Sequence, residues 1–348
     1  MAVAEWSNRQ MSKARLGHRY ELPDEGEIHI AHPELHHYTG WAGLEGIWQS
    51  QTLWATSFTH LNDRTELEIA KRYLNKALAD DGIRIIGDLL FQHPELGDII
   101  QGRRIGEVAK SECQRFVDAL WVGTFGGPNI DVPMVTPFIT SLCSHAADQE
   151  YERNHGLLSQ WRGYGQDEGY CLVFDTQALA DLVWKEWEMH AYPMGLYMID
   201  VKYAVDGFSI EDVLPKISGF LQNSFEQALN GDMGGVTEML RPMIIGSTRV
   251  KHRGFQEERE VRVVALPDSE TLHQRGLERY RKWKQRPVKK IETAPNGRPF
   301  VSLFAGCGDL PIKRVIVRPG IEQNKWFEKA KRLVDGRVQV TKSETPLR

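Results

Sequence analysis

The stretch Leu35-His36-His37-Tyr38-Thr39-Gly40-Trp41-Ala42-Gly43-Leu44-Glu45-Gly46-Ile47-Trp48, followed by Thr52-Leu53-Trp54-Ala55-Thr56, sets the reading of the fold. An apolar-aromatic run at 35–38 reads as a strand. Thr39 is placed to cap a helix whose Trp41, Leu44, Ile47 and Trp48 recur at helical spacing. Residues 52–56 read as a second strand. Next, Asn62-Asp63-Arg64-Thr65-Glu66 carries Asp63 and Glu66 at capping-box spacing, ahead of a helix with Leu67, Ala70, Leu74 and Leu78 on one face as far as about Asp81. The order is strand, helix, strand, helix.

Working outward, residues 83–120 are helical but less regular, with Pro94 interrupting them, and 123–131 form a glycine-rich loop. Residues 134–143 and 169–175 read as buried strands on either side of an aromatic-rich segment at 157–165. A strand at 195–204, helices at 210–229 and 236–245, and a strand at 260–266 follow. Pro295-Asn296-Gly297 joins Ile291 to 300–304 as a hairpin, and a strand at 312–317 with a helix at 321–333 completes the pattern. Residues 1–30 are polar and mixed in charge and read as an irregular arm. With no repeat and no strong linker, 31–348 reads as one elaborated domain. The expected class is α+β, with mixed, mostly antiparallel central sheets and flanking helices.

A net charge of −4 argues against a surface built as a whole for nucleic acid. Cys113, Cys143, Cys171 and Cys307 are widely separated and form no C-x-x-C pair, and no apolar run is long enough for a membrane span. A cytoplasmic protein without membrane contact is the expectation.

Four constellations bear chemistry. His37, Tyr38 and Thr39, at a strand-to-helix junction, suit a ribose hydroxyl or a phosphate, or else are packing residues at a sheet edge. Zinc at His32, His36 and His37 is disfavoured because adjacent strand residues point to opposite faces, so no metal is expected. Asn62, Asp63 and Glu66 read as a cap, whereas Arg64 in a first helical turn opposes the helix dipole and calls for an anionic partner or solvent. Trp161 and Tyr164 offer rings for stacking, Trp161 also suiting the core. Glu258, Glu260 and Arg262 share a strand face, either as a site stabilising positive charge at an anomeric carbon or as a surface charge ladder. A basic run from Arg279 to Lys290, interleaved with Tyr280 and Trp283, suits nucleic-acid phosphates or is a solvated face.

Taken in order, His37-Tyr38-Thr39, Leu53-Trp54-Ala55, Asn62-Asp63 with Glu66, Ser141-Leu142-Cys143-Ser144, Trp161 with Tyr164, Gly169 with 171–175, and Lys251, Phe255, Glu258, Glu260 and Arg262 resemble the bacterial family called domain of unknown function 2971. The family's layout is similar to that of ADP-ribosyltransferases. The resemblance implies an NAD-consuming transferase, a toxin or phage-defence effector, with a nucleic-acid or protein acceptor and a neighbouring protein that restrains it. It implies that His37 binds the NAD ribose, Tyr164 stacks on nicotinamide, Arg64 holds the pyrophosphate, Glu260 is catalytic and Glu258 orients the acceptor. Tyr38, Thr39, Asn62 and Trp161 are the remaining expected NAD-binding residues. Ser141-Leu142-Cys143-Ser144 replaces the usual S-T-S strand only loosely. An NAD glycohydrolase and a non-catalytic nucleic-acid-binding module are the alternatives.

Overall fold

Helix α1 (Ile28–Ala31) leads into β1 (Glu34–Gly40), where Leu35 enters one core while His36 and Tyr38 are buried on the opposite side, the period of two expected of a strand. The computed structural model describes residues 22, 25–60, 66–92, 102–125, 136–145, 148–164, 168–192, 194–204, 210–214, 217–230, 234–267 and 286–346. Within the segment 1–30 expected as an irregular arm, residues 25–30 are helical and docked: Ile28 is buried, and Glu25 accepts the Met198 N–H at 3.1 Å.

Helix α2 (Trp41–Ser50) buries Leu44 and Trp48, one turn apart, and stops at Gln51 in the left-handed region, φ 54°. Its N-cap is Gly40 and not Thr39, as expected from sequence; the Thr39 hydroxyl instead packs where a side chain at Gly43 would stand. After β2 (Leu53–Ser57), α3 (Glu66–Gln92) runs unbroken well past Asp81, because Ile85, Ile86, Leu89 and Leu90 continue the stripe begun by Leu74 and Leu78. Helix α4 (Ile105–Phe125) packs along it.

Next come β3 (Phe138–Leu142), α5 (Glu150–His155), α6 (Leu158–Tyr164) and β4 (Gly169–Asp175). Asp175 caps α7 (Thr176–Met189), its carboxylate accepting the Ala178 N–H at 3.0 Å. The strand expected at 195–204 is two, β5 (Gly195–Asp200), which pairs with residues 261–266, and β6 (Lys202–Ala204), which pairs with residues 250–252. Helices α8 (Ile210–Val213), α9 (Ile217–Leu229) and α10 (Gly234–Arg249) lead to β7 (Val250–His252) and β8 (Val261–Leu266). The hairpin of β9 (Ile291–Thr293) and β10 (Pro299–Leu303) forms as expected. Strand β11 (Ile312–Val317), helix α11 (Gln323–Val334) and β12 (Gln339–Lys342), a strand the sequence did not announce, end the order.

One sheet has the order β1-β4-β11-β12, antiparallel except for the last pair; another has the order β5-β8-β3-β2-β10-β9 and is antiparallel throughout. Strands β6 and β7 form a parallel pair. The protein is thus α+β, with mixed and antiparallel sheets and flanking helices. The two large sheets meet at an isolated antiparallel bridge between His36 and Cys143, beyond which β1 and β3 diverge. On one side Leu35, Phe174, Leu142 and Val263 share a core with α2, α7 and α11; on the other, α3, α4, α9 and α10 cover Ile139, Ile199 and Val264 of the larger sheet.

Candidate active site

Strand β8 reads Val-Arg-Val-Val-Ala-Leu, and Arg262 is fully buried inside it. Such a charge persists only if partners surround it. Arg262 donates Nε to Glu260 Oε1 at 2.7 Å, Nη2 to Glu66 Oε2 at 2.7 Å and Nη1 to the Thr248 carbonyl at 2.8 Å. Lys251, from β7, bridges Glu258 at 2.7 Å and Glu260 at 2.8 Å and lies 3.6 Å from Glu66. Three carboxylates thus face two cations.

Burial would raise the Glu260 carboxyl, but Arg262 and Lys251 outweigh it and bring it down to about 2. Burial outweighs the pull of Arg262 and, with repulsion from Glu260 added, leaves Glu66 above the ordinary carboxylate value. Burial opposes charge on Lys251, yet Glu260, Glu258 and Glu66 carry its ammonium above the ordinary lysine value. The cluster is not the strand face expected from sequence. Strand β8 begins only at Val261; Glu258 ends a 3-10 turn at 253–258 and Arg259 is left-handed, φ 43°. Lys251 is what brings Glu258 and Glu260 together. Glu66 opens helix α3 and gives one carboxylate oxygen to Arg262, while its expected capping partner Asp63 lies outside the described residues.

His37 stands where β1 departs from β3, donating Nδ1–H to the Ser141 carbonyl at 3.2 Å. The next residue along β3, Thr140, donates its hydroxyl to the Trp54 carbonyl at 2.9 Å, so His37 and Trp54 are held against adjacent positions of one strand edge. The Trp54 ring is exposed and stacks on Phe300 at 4.0 Å. Tyr164, at the end of α6, is also exposed. Tyr38 and Trp161 are core residues: they meet edge to face at 4.8 Å beside Cys143 and Cys171, and the Tyr38 oxygen accepts the Leu157 N–H at 2.8 Å. Asn62, Asp63 and Arg64 lie outside the described residues, as does the basic run from Arg279 to 285. Of the described end of that run, Arg286 bonds the Trp187 carbonyl and Lys289 pairs with the buried Glu186 at 2.7 Å, while Lys290 is exposed.

Beside the carboxylate cluster opens a cleft of about 650 Å3, lined by His32, Glu152, Asp200, Tyr203, Glu257 and Arg259 among others. Sequence reasoning missed it, since its residues come from four separate segments. It also passed over Lys251 as a site residue and Arg249, which pairs with Asp200 at 2.7 Å. A usable signal existed: the charges at 249 and 251 flank Val250 and those at 260 and 262 flank Val261, and charges alternating with apolar strand residues are buried in pairs. Among the described residues, no group of three His, Cys, Asp or Glu side chains is placed to hold a metal, and no helix is long and apolar enough to cross a membrane.

No curated protein and no solved structure matches the chain. Residues 160–263, which carry Lys251, Glu258, Glu260 and Arg262, match the family model described as Protein of unknown function (DUF2971).

Proposed function

We propose that the protein is an NAD-consuming, ADP-ribosyltransferase-like enzyme. The observation that carries this reading is the surplus carboxylate. With three acids against two bases, the cluster retains negative charge, and Glu258 is its least enclosed acid, 13% exposed against 2% for Glu260 and 5% for Glu66. When the nicotinamide–ribose bond breaks, its electron pair leaves with nicotinamide and positive charge develops on the ribose. A fixed carboxylate beside that carbon stabilises this state more than the ground state.

The reading gives Glu258 the catalytic role that sequence resemblance gives to Glu260. Both Glu260 oxygens are engaged by Arg262 and Lys251 at 2.7–2.8 Å, so Glu260 serves as a positioning residue that fixes Lys251 behind Glu258. His37, at the divergence of β1 and β3, is assigned to the NAD ribose, and exposed Tyr164 to the nicotinamide ring. Thr39, and Asn62 and Arg64 outside the described residues, keep the NAD-binding roles implied by the resemblance. Tyr38 and Trp161 form the packed support.

The test is incubation with NAD labelled on its adenylate half, following nicotinamide release and the fate of the label with cell RNA, DNA and protein present. Release that Glu258→Gln abolishes in a folded protein supports the assignment. Label transferred to a macromolecule makes the enzyme a transferase, and free ADP-ribose a glycohydrolase. No release and no NAD binding overturns the reading.

A further inference from the structure

Side chains of the larger sheet alternate between two faces. Leu53, Ala55, Leu142, Val263 and Val301 fill one core. Their chain neighbours Trp54, Ser141, Arg262 and Phe300 therefore lie on the opposite face. Ser141 stands directly across the ladder from Arg262. The ladder between β2 and β3 reaches only to Thr56 and Ile139, and beyond it the Thr140 hydroxyl, bonded to the Trp54 carbonyl at 2.9 Å, holds Trp54 to β3. In strand order, one face thus carries the guanidinium of the carboxylate cluster, then Ser141, then Trp54.

The strip leading away from the cluster is open. Ser141 is exposed while every other residue of β3 is buried, so the face is uncovered between the cluster and Trp54. Trp54 is 53% exposed, and Phe300 backs it with ring centroids 4.0 Å apart and planes inclined by 24°. Among the described residues, Phe300 is the one ring stacked on it. One face of the indole is therefore fixed and the other presented to solvent, which is a pre-oriented platform for a second planar ring. The platform stands two strands from β8, about 10 Å at the usual strand spacing.

We propose that the indole of Trp54, backed by Phe300, receives the adenine ring of NAD, so that the dinucleotide lies across β8, β3 and β2 with its reacting end at Glu258. The assignment rests on the NAD reading and deepens it. The separation decides between the two rings of the substrate. Nicotinamide is bonded to the carbon that Glu258 is assigned to stabilise, so it stays beside the cluster. Adenine lies beyond two riboses and a pyrophosphate, and it is the ring that reaches a platform two strands away. Stacking on indole needs only a flat π face, which adenine supplies whatever its edge contacts. Binding energy realised this far from the bond that breaks is the same in ground state and transition state, so it lowers KM and leaves kcat alone.

Nicotinamide release by the full chain, measured with NAD and with nicotinamide mononucleotide, which lacks the adenylate half, tests it alongside calorimetric titration with ADP-ribose. Trp54→Ala should raise KM for NAD about tenfold with kcat held, the effect of losing one base stack, and should weaken ADP-ribose binding by the same factor. Release from the mononucleotide should suffer far less. Trp54→Phe should recover most of the affinity. Trp54→Leu, apolar but without a π face, should not, and it serves as the second variant should Trp54→Ala not fold. An unchanged KM for NAD in the folded variants, an equal loss with the mononucleotide, a loss confined to kcat, or full recovery by Trp54→Leu would overturn the proposal. The two readings fail separately. Nicotinamide release with a KM indifferent to Trp54 keeps the reaction and removes the platform. Trp54-dependent binding of ADP-ribose by a protein that releases no nicotinamide keeps the platform and removes the reaction, and neither release nor binding removes both.

Discussion

The guanidinium of Arg262 meets the carboxylate of Glu66 at 2.7 Å, joining positions 196 residues apart in a region where both side chains are buried. The pair clamps the start of α3 onto β8, so the helical layer and the larger sheet are held together by charge as well as by apolar contact.

Removing that guanidinium leaves Lys251 as the one cation the cluster supplies to Glu66, Glu258 and Glu260. Arg262→Met should cost about 3–5 kcal/mol in urea unfolding, the range for breaking a buried ion pair from one side. Arg262→Lys should not rescue it, because a lysine cannot reach Glu260, Glu66 and the Thr248 carbonyl from one planar group. An unchanged unfolding midpoint would contradict the clamp.

Glu258→Gln and Glu260→Gln should separate activity from stability. Glu260→Gln takes a charge from between Arg262 and Lys251 and should lower stability by several kcal/mol, about the cost of unpairing a buried charge. Glu258→Gln, at the more open end, should change stability by about 1 kcal/mol or less while abolishing nicotinamide release. Calorimetry and the labelled-NAD assay on both proteins give the answer. A fully active Glu258→Gln protein counts against the assigned role.

Acid should loosen the junction between the sheets before it reaches the carboxylates. Burial, aided by Arg259, Arg153 and Arg314, lowers His145 from 6.5 to about 4. The unfolded chain therefore binds a proton that the folded one refuses, and the stability present above pH 6.5 is lost as the pH falls toward 4, by about 3 kcal/mol from this group. Glu186 and Glu260, both lowered from 4.5 to about 2, extend the loss over that lower interval. Melting temperatures between pH 8 and 4 should fall for the native protein and fall less steeply for His145→Phe; parallel curves would rule the histidine out.

Gly156→Ala should destabilise. Gly156 has φ 79°, and a Cβ there would lie 2.7 Å from the Trp161 indole nitrogen, which donates to the His155 carbonyl at 2.9 Å. Backbone strain and displacement of a fully buried ring together should cost about 2–4 kcal/mol, measurable by urea unfolding.

Much of the strand and helix order was legible because its signals are local. The alternation in 260–266, the Asn-Gly turn at 296–297 and the helical stripe from Leu74 all sit within a few residues of the structure they specify. Strand β12 was missed because Gln339, Val340, Thr341 and Lys342 carry no buried face; only pairing with β11 makes them a strand. At the site, sequence identified Glu258, Glu260 and Arg262 but assigned Glu66 to a helix cap, since nothing near residue 66 announces a partner on β8. The His32–Ser144 and Asp200–Arg249 pairs were illegible for the same reason: each joins segments that only the sheet topology brings together.

The isolated bridge between His36 and Cys143 consists of two reciprocal hydrogen bonds, each of 2.8 Å. A seam closed by one such rung can part without melting either sheet, and the two amide protons that form it exchange with solvent only when it does. Deuterium uptake at His36 and Cys143, compared with that at Leu172 and Val263 in the middle of the neighbouring ladders, therefore reads out the breathing of one sheet against the other, and a ligand seated across the seam would register as slower exchange at those two positions.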